Sequence, residues 1–304
     1  MRERVNVLLT TYNGSRFLRE QLESIDSQTL SVVRVTVRDD GSSDETNLLV
    51  EKWAAGRANV LLLRGPQLGV TNNFFTVLAN PDADSDYFAF CDQDDVWLPE
   101  KVEKAVQALR GCDPNIPVMY CSRVEYVDEN LRHLGFSKVP KSIGFANALV
   151  ENIATGCTMV LNRRARDLIC KRLPQKALIH DWWCYVTLSA LGKVLYDKTS
   201  SIKYRQHANN VTGAATTRWE LVRRRFVRFL RHKRGARLLS DQAIEFQRCF
   251  GDLLNTQDKK TLERFLSVRG SFGERVFYNA VMDVWRQSWS DTMILRVLII
   301  MGRV

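Results

Sequence analysis

Two carboxylates, Asp92 and Asp94, stand one residue apart where the apolar run of YFAFCDQDD ends. Alternate residues leaving a strand share a face, so both acids can point into one cleft. Clustered carboxylates with no histidine beside them suit hard, oxygen-seeking Mg²⁺ or Mn²⁺. A cation held there would bridge a diphosphate and neutralise the charge on a departing nucleotide. D-x-D by itself also describes a solvated acidic turn. Its context decides the reading. Thr10-Thr11-Tyr12-Asn13, Asp39-Asp40 and the stretch from Gly69 onward also follow apolar, strand-like runs.

Those clusters need a scaffold that brings strand ends together. Val5–Thr10, Val32–Val37, Val60–Leu63 and Asp86–Phe90 read as strands. Between them, apolar residues recur at helical spacing, as in Phe17, Leu18, Leu22 and Ile25. Pro99 opens a further helix carrying Val102, Ala105, Val106 and Leu109. Such alternation predicts an α/β fold with a mostly parallel sheet covered on both faces. Ligands bind such sheets beyond the carboxyl ends of the strands, where the polar clusters fall. Neither GxGxxG nor GxxxxGK[ST] occurs, so neither a dinucleotide fold nor a P-loop is expected.

From residue 112 to 215 the pattern is mixed. Val118–Cys121, Val124–Val127, Thr155–Leu161, Val194–Tyr196 and Ile202–Arg205 read as strands. Ala165–Arg172 reads as a helix, and His180-Asp181-Trp182-Trp183 opens another that reaches Leu191. From 216 onward the pattern is helical, with segments 219–234, 240–255, 258–268 and 274–300. A change of composition near 215 divides a catalytic domain, 1–215, from a helical C-terminal region, 216–304.

The chain has 304 residues, a formal charge of +10, 45% hydrophobic and 26% charged residues. This is globular composition, with length for a sizeable core. Met1-Arg-Glu-Arg runs directly into a strand, so no signal peptide is expected, and no apolar run reaches membrane-spanning length. Seven cysteines without a CxxC pair predict buried free thiols in a reducing, cytoplasmic setting rather than a zinc site. The charge is local. Residues 216–237 hold nine Lys or Arg against the single acid Glu220, leaving +8 of the +10 there. A nucleic-acid-binding surface is therefore not implied.

VNVLLTTYNG, VRDDGSSDET, GPQLGVTNNF and YFAFCDQDDVWLPEKV, in that order and spacing, resemble the inverting family 2 glycosyltransferases with the GT-A fold. The resemblance spans roughly residues 3–210. FCDQDDVWLPEK, ATGCTMVLNR, HDWW and YRQHANN are similar to the bacterial rhamnosyltransferase-like branch. The helical tail also resembles tails in that branch.

The resemblance implies a nucleotide-sugar donor, dTDP- or UDP-linked, with dTDP-L-rhamnose foremost, and Mg²⁺ or Mn²⁺. Thr10 and Tyr12 would line the nucleoside pocket. Asp40 would accept from the imide N–H of uracil or thymine, while Asp39 braces the loop. Asp92 would face the ribose or a metal-bound water, and Asp94 would ligate the metal. Arg205 and His207 would reach the diphosphate or the metal, and Thr155 and Gly156 would form a close-approach loop beside the acceptor. Asp181 would be the general base that deprotonates the acceptor hydroxyl; the alternative is that it only caps its helix. His180, where the family often has Glu, would position or pack. Trp182 and Trp183 would form a sugar platform or belong to the core.

Segment 219–234 places Trp219, Val222, Phe226, Phe229 and Leu230 opposite many arginines, an amphipathic pattern with a cationic face. At about 1 kcal/mol per basic residue it could hold an anionic membrane surface, or it could dock on the catalytic domain. Trp285, Trp289, Met293, Val297 and Ile300 form a second stripe, suited to docking, homodimer contact or interfacial insertion. The acceptor expected is a growing surface polysaccharide or polyprenyl-linked glycan at the inner membrane face. Two other classes compete. A nucleotidyltransferase would need a Gly-rich basic loop after the first strand, which TTYNGSRF lacks. A polyanion-binding protein would have no use for Asp92, Asp94 and Asp181.

Overall fold

The computed structural model describes residues 3–30, 34–82, 84–207 and 237–304. Segment 219–234 lies outside the described residues. The first half alternates as expected: β1 (Val5–Thr11), α1 (Leu18–Asp26), β2 (Arg34–Asp39), α2 (Thr46–Ala54), β3 (Val60–Arg64), α3 (Val70–Ala79) and β4 (Tyr87–Cys91). A two-residue β5 (Val96–Trp97) and α4 (Lys101–Arg110) follow. Then come β6 (Val118–Val127), β7 (His133–Phe136), α5 (Phe145–Ala148), β8 (Val160–Asn162), α6 (Arg163–Lys171), α7 (His180–Leu191) and β9 (Lys193–Arg205). The tail contributes α8 (Leu238–Phe250), α9 (Thr256–Leu266), α10 (Phe272–Ala280) and α11 (Trp289–Ile300).

Among the described residues, all strands join one sheet, ordered β3-β2-β1-β4-β8-β6-β9-β5, with β7 on β6. Strands β3, β2, β1 and β4 run parallel, and β8 then pairs antiparallel with both β4 and β6. Register places Thr11 beside Asp39 and Leu9 beside Cys91. The ends of β1, β2 and β4 therefore share one edge, where the order reverses about β1.

Alternation along the strands divides the core. Val7, Leu9, Ala89 and Cys91 face α1 and α4, whereas Leu8, Phe88 and Phe90 face α3 and α7. The tail helices join the second layer. Phe246 of α8 lies against Phe145 at 5.3 Å and Trp183 at 6.1 Å between ring centroids, and Phe250 also meets Trp183. The composition change near 215 thus separates two stretches of sequence whose described parts share one core.

Several elements differ from expectation. The paired strand readings around 118–127 and 193–205 are each one continuous strand, bridged by irregular register. Gly156–Thr158 form a 3₁₀ turn before the short β8, in place of the expected extended run. Segment 274–300 is two helices: α10 starts at a Ser271–Glu274 capping box, and 281–288 leaves helical geometry. The stripe read along 285–300 is not the docking face. Leu295 and Ile299 are buried, while Trp289 is 76% exposed. All seven cysteines are free. Among the described residues, no helix is long and apolar enough to cross a membrane.

Because α8 shares the catalytic core, Phe246→Ala should cost about 3–5 kcal/mol of global stability. Urea unfolding should remain one cooperative transition. A separate early transition for the tail would show that it folds apart.

Candidate active site

The nucleoside side is built from the ends of β1 and β2. Asp39 accepts from Thr11 Oγ1 (2.9 Å), Ser42 Oγ (2.5 Å) and the backbone amides of Gly41 and Ser42. Burial works against its ionisation, but these donors outweigh it and hold the carboxyl below its usual value. Asp40 accepts from Arg38 Nη1 (2.7 Å) and from the amides of Leu68 and Gly69 (2.8 Å each). Both acids brace loops, and a base contact by Asp40 would have to coexist with three protein donors. Gly69, at φ +78°, permits the turn that Asp40 holds. Thr10 is buried beneath this edge, and Tyr12 is 43% exposed. Gln93 clamps Tyr12 from the acidic turn, accepting from its N–H (2.8 Å) and donating to its carbonyl (3.0 Å). Gly14 leaves room for that amide, since a Cβ there would strike it.

The turn after β4 separates its acids instead of continuing the strand's alternation. Asp94 Oδ2 lies 2.8 Å from His207 Nε2. Asp95 is fully buried and accepts from Arg205 N–H (3.1 Å). Asp92, Asp95 and Cys157 bring ligand atoms within 4.8 Å of one another. Burial, then Asp94 and Asp181, push the Asp92 carboxyl up. Burial raises the Cys157 thiol as well. Asp94 and His207 pair with each other and are not part of the Asp92, Asp95 and Cys157 group, so the expected Asp92, Asp94 and His207 set is not gathered into one cluster among the described residues. The Asp92 and Asp95 carboxylates are oxygen ligands of the kind that Mg²⁺ or Mn²⁺ takes.

Arg205 is placed differently from expectation. Its side chain is 1% exposed, lies over Phe17 at 4.5 Å, donates to Asp94 O (2.9 Å) and Glu129 O, and pairs with Glu20 (2.6 Å). It ties the Asp94–Asp95 turn to α1 and β9, so a diphosphate contact would have to displace these partners. Lys101 is likewise interior, 3.9 Å over Trp97, with burial lowering its pKa to about 8.

The third wall is the start of α7. Asp181 is buried and accepts from Asn152 Nδ2 (3.0 Å), Trp182 N–H (2.6 Å) and Gly156 N–H (3.0 Å). The helix begins one residue earlier, with Ile179 at the cap, so the cap reading of Asp181 fails. Burial lifts its pKa to about 7 against those donors. His180 stacks on Phe74 at 3.9 Å, and burial lowers its pKa to about 3. It is a neutral packing residue. A Cβ on Gly156 would lie 2.7 Å from its Nε2, so this glycine permits the close approach. Trp183 is core against α8 and unavailable as a sugar platform, and Trp182 donates to Ala148 O (2.6 Å). No spacing signal marks Gln93 or Asn152, two amides whose roles exist only through their partners.

Residues 6–167 match the family described as Glycosyl transferase family 2. The chain is 28% identical over 219 residues to "dTDP-rhamnosyl transferase RfbG" of Shigella flexneri, covering 68% of this chain and 74% of that protein. It is 29% identical over 160 residues to an Escherichia coli protein, "UDP-Glc:alpha-D-GlcNAc-diphosphoundecaprenol beta-1,3-glucosyltransferase WfgD". That match covers 52% of this chain and 60% of that one. The solved structure of S. aureus TarS 1-349 in complex with UDP-GlcNAc superposes with a TM-score of 0.56 and 14% identity. It covers 99% of this chain and 88% of that chain. The likeness gives the GT-A fold.

A carboxyl whose folded pKa is raised binds its proton more tightly in the folded state. Its contribution is present at low pH and lost as pH rises through the folded value. Asp181→Asn should therefore gain stability relative to wild type as pH rises from about 4 to about 7, with the difference levelling off above that. Paired thermal melts test this, and a pH-independent difference would place Asp181 in contact with solvent.

Proposed function

The chain belongs to Glycosyl transferase family 2, and from that premise we propose that it moves a sugar from a nucleotide diphosphate to a glycan hydroxyl by single displacement, inverting the anomeric carbon. The observation that carries this reading is the Asp181 carboxylate, buried at the start of α7 and held by Asn152, Gly156 and Trp182; burial lifts its pKa to about 7, and its charge in turn raises Asp92. A base poised near neutral pH both accepts a proton and remains ionised enough to do so.

In this mechanism Thr10, Tyr12 and Asp40 border the nucleoside, and Asp92 and Asp94, with His207 paired to Asp94, would hold a divalent cation. That cation, when bound, neutralises charge developing on the diphosphate. The acceptor oxygen bonds to the anomeric carbon as the bond to the phosphate oxygen breaks, its electron pair leaving with the nucleoside diphosphate. Asp181 takes the hydroxyl proton. Asn152 and the Gly156 amide keep its carboxylate oriented, and His180 packs beside it against Phe74 and Phe90.

The donor proposed is dTDP-L-rhamnose, supported by the dTDP-rhamnosyl transferase name of the Shigella relative. A UDP-sugar is the second reading, supported by the Escherichia coli relative. The acceptor proposed is a surface polysaccharide or lipid-linked glycan. The basic segment 219–234 would keep the protein at an anionic membrane, a proposal that rests on sequence alone.

Asp181→Asn should lower kcat about 10²–10⁴-fold with donor KM unchanged. Near-normal turnover would require another base. Asp94→Asn should abolish the Mn²⁺-dependent thermal shift produced by dTDP or UDP, and an unchanged shift would remove Asp94 from the metal site.

A further inference from the structure

The segment between α10 and α11 makes an unusual number of bonds to the loop in front of the active site. Gln287 accepts from Lys141 N–H (2.8 Å) and donates to Ser142 O (2.7 Å). Its own N–H donates to Glu151 Oε2 (2.6 Å). Arg286 Nε donates to Val150 O (3.0 Å). Asn147, wholly buried, donates to Trp285 O (3.1 Å) and to Glu151 (3.2 Å), and accepts from Tyr185 Oη of α7 (2.8 Å). Residues 141–151 are thus gripped by the tail on one side and by α7 on the other. The next residue is Asn152, whose amide donates to Asp181. Its side-chain carbonyl accepts from Ala154 N–H (3.1 Å), which fixes the direction of the amide.

We propose that residues 285–287 position the base: they hold the 141–152 stretch so that the Asn152 amide is aimed at the Asp181 carboxylate. This rests on the reading of Asp181 as base. It gives the C-terminal region a part in the chemistry although none of its described residues belongs to the proposed donor or metal sites. Titratable groups bearing on Asp181 are Asp92 from the β4 end, Cys184 on its own helix and the neutral His180. None of them is altered by changes at 152 or 287. The Asn152 N–H stabilises the ionised form, so losing it raises the proton affinity of Asp181.

The test is a set of pH–rate profiles for wild type, Asn152→Ala, Gln287→Ala and the double variant, with donor and acceptor KM measured at each pH. Asn152→Ala should lower kcat at pH 7 about 10- to 100-fold and Gln287→Ala about 10-fold, with donor KM unchanged. In both, the acid limb should move to higher pH. The double variant should be no worse than Asn152→Ala alone, because the two act through one contact. Gln287→Glu, which keeps the acceptor facing Lys141 N–H, should recover part of the loss. Phe277→Ala, an exposed change elsewhere in the tail, should match wild type throughout.

Additive losses, or a Gln287→Ala protein with lower melting temperature but wild-type kcat and acid limb, would overturn the proposal. Asp181→Asn separates the two readings. If it keeps turnover, Asp181 is not the base and both fall. If it loses turnover while Asn152→Ala and Gln287→Ala keep the wild-type profile, only the positioning role falls.

Discussion

Acidic side chains crowd the carboxyl edge of this sheet, and their burial constrains everything around them. Asp92, Asp95 and Asp181 all have raised proton affinities, with burial as the first cause and neighbouring carboxylates adding to it for Asp92 and Asp95. A folded chain tolerates such a cluster only by placing donors and cations around it. Arg205 and Lys101 are drawn into the interior for that reason, although long cationic side chains rarely bury fully. The parallel half of the sheet supplies the geometry. Its strand order brings the β1, β2 and β4 ends together, and β8 joins them to the half that carries α7.

The two walls of the site are stabilised differently. On the nucleoside side, Asp39 and Asp40 are saturated with donors, and Gln93 fastens Tyr12 to the acidic turn. These contacts are local to the first ninety-odd residues. On the base side, Asp181 accepts from Asn152 and Gly156, and the stretch that ends at Asn152 meets α8 at Phe145 and the 285–287 segment at Glu151. The catalytic layer on that face is completed only by the C-terminal helices, which explains why Trp183 is core.

The strand–helix alternation of the first 110 residues and the strand-end acids were legible in the sequence because both follow from short-range periodicity. So was the start of α7, where His180-Asp181 precedes an apolar run. What was not legible has a common cause. Arg205 looks like a free phosphate ligand in YRQH, and only the approach of Glu20, Glu129 and Asp94 from distant segments occupies it. Trp183 looks like a sugar platform until α8 covers it. The 274–300 run carries helical periodicity throughout, yet residues 285–287 bond to a loop nearly 140 positions away. Long-range partners decide such positions, and spacing carries no record of them.

The proposed base role of Asp181 rests on burial raising its carboxyl to near neutral pH. Its most direct test is a carboxyl ¹³C NMR titration of the free protein, with Asp181 assigned by difference against Asp181→Asn. A titration midpoint near 7 is expected. A midpoint near the ordinary carboxylate value of 3.8 would contradict the account.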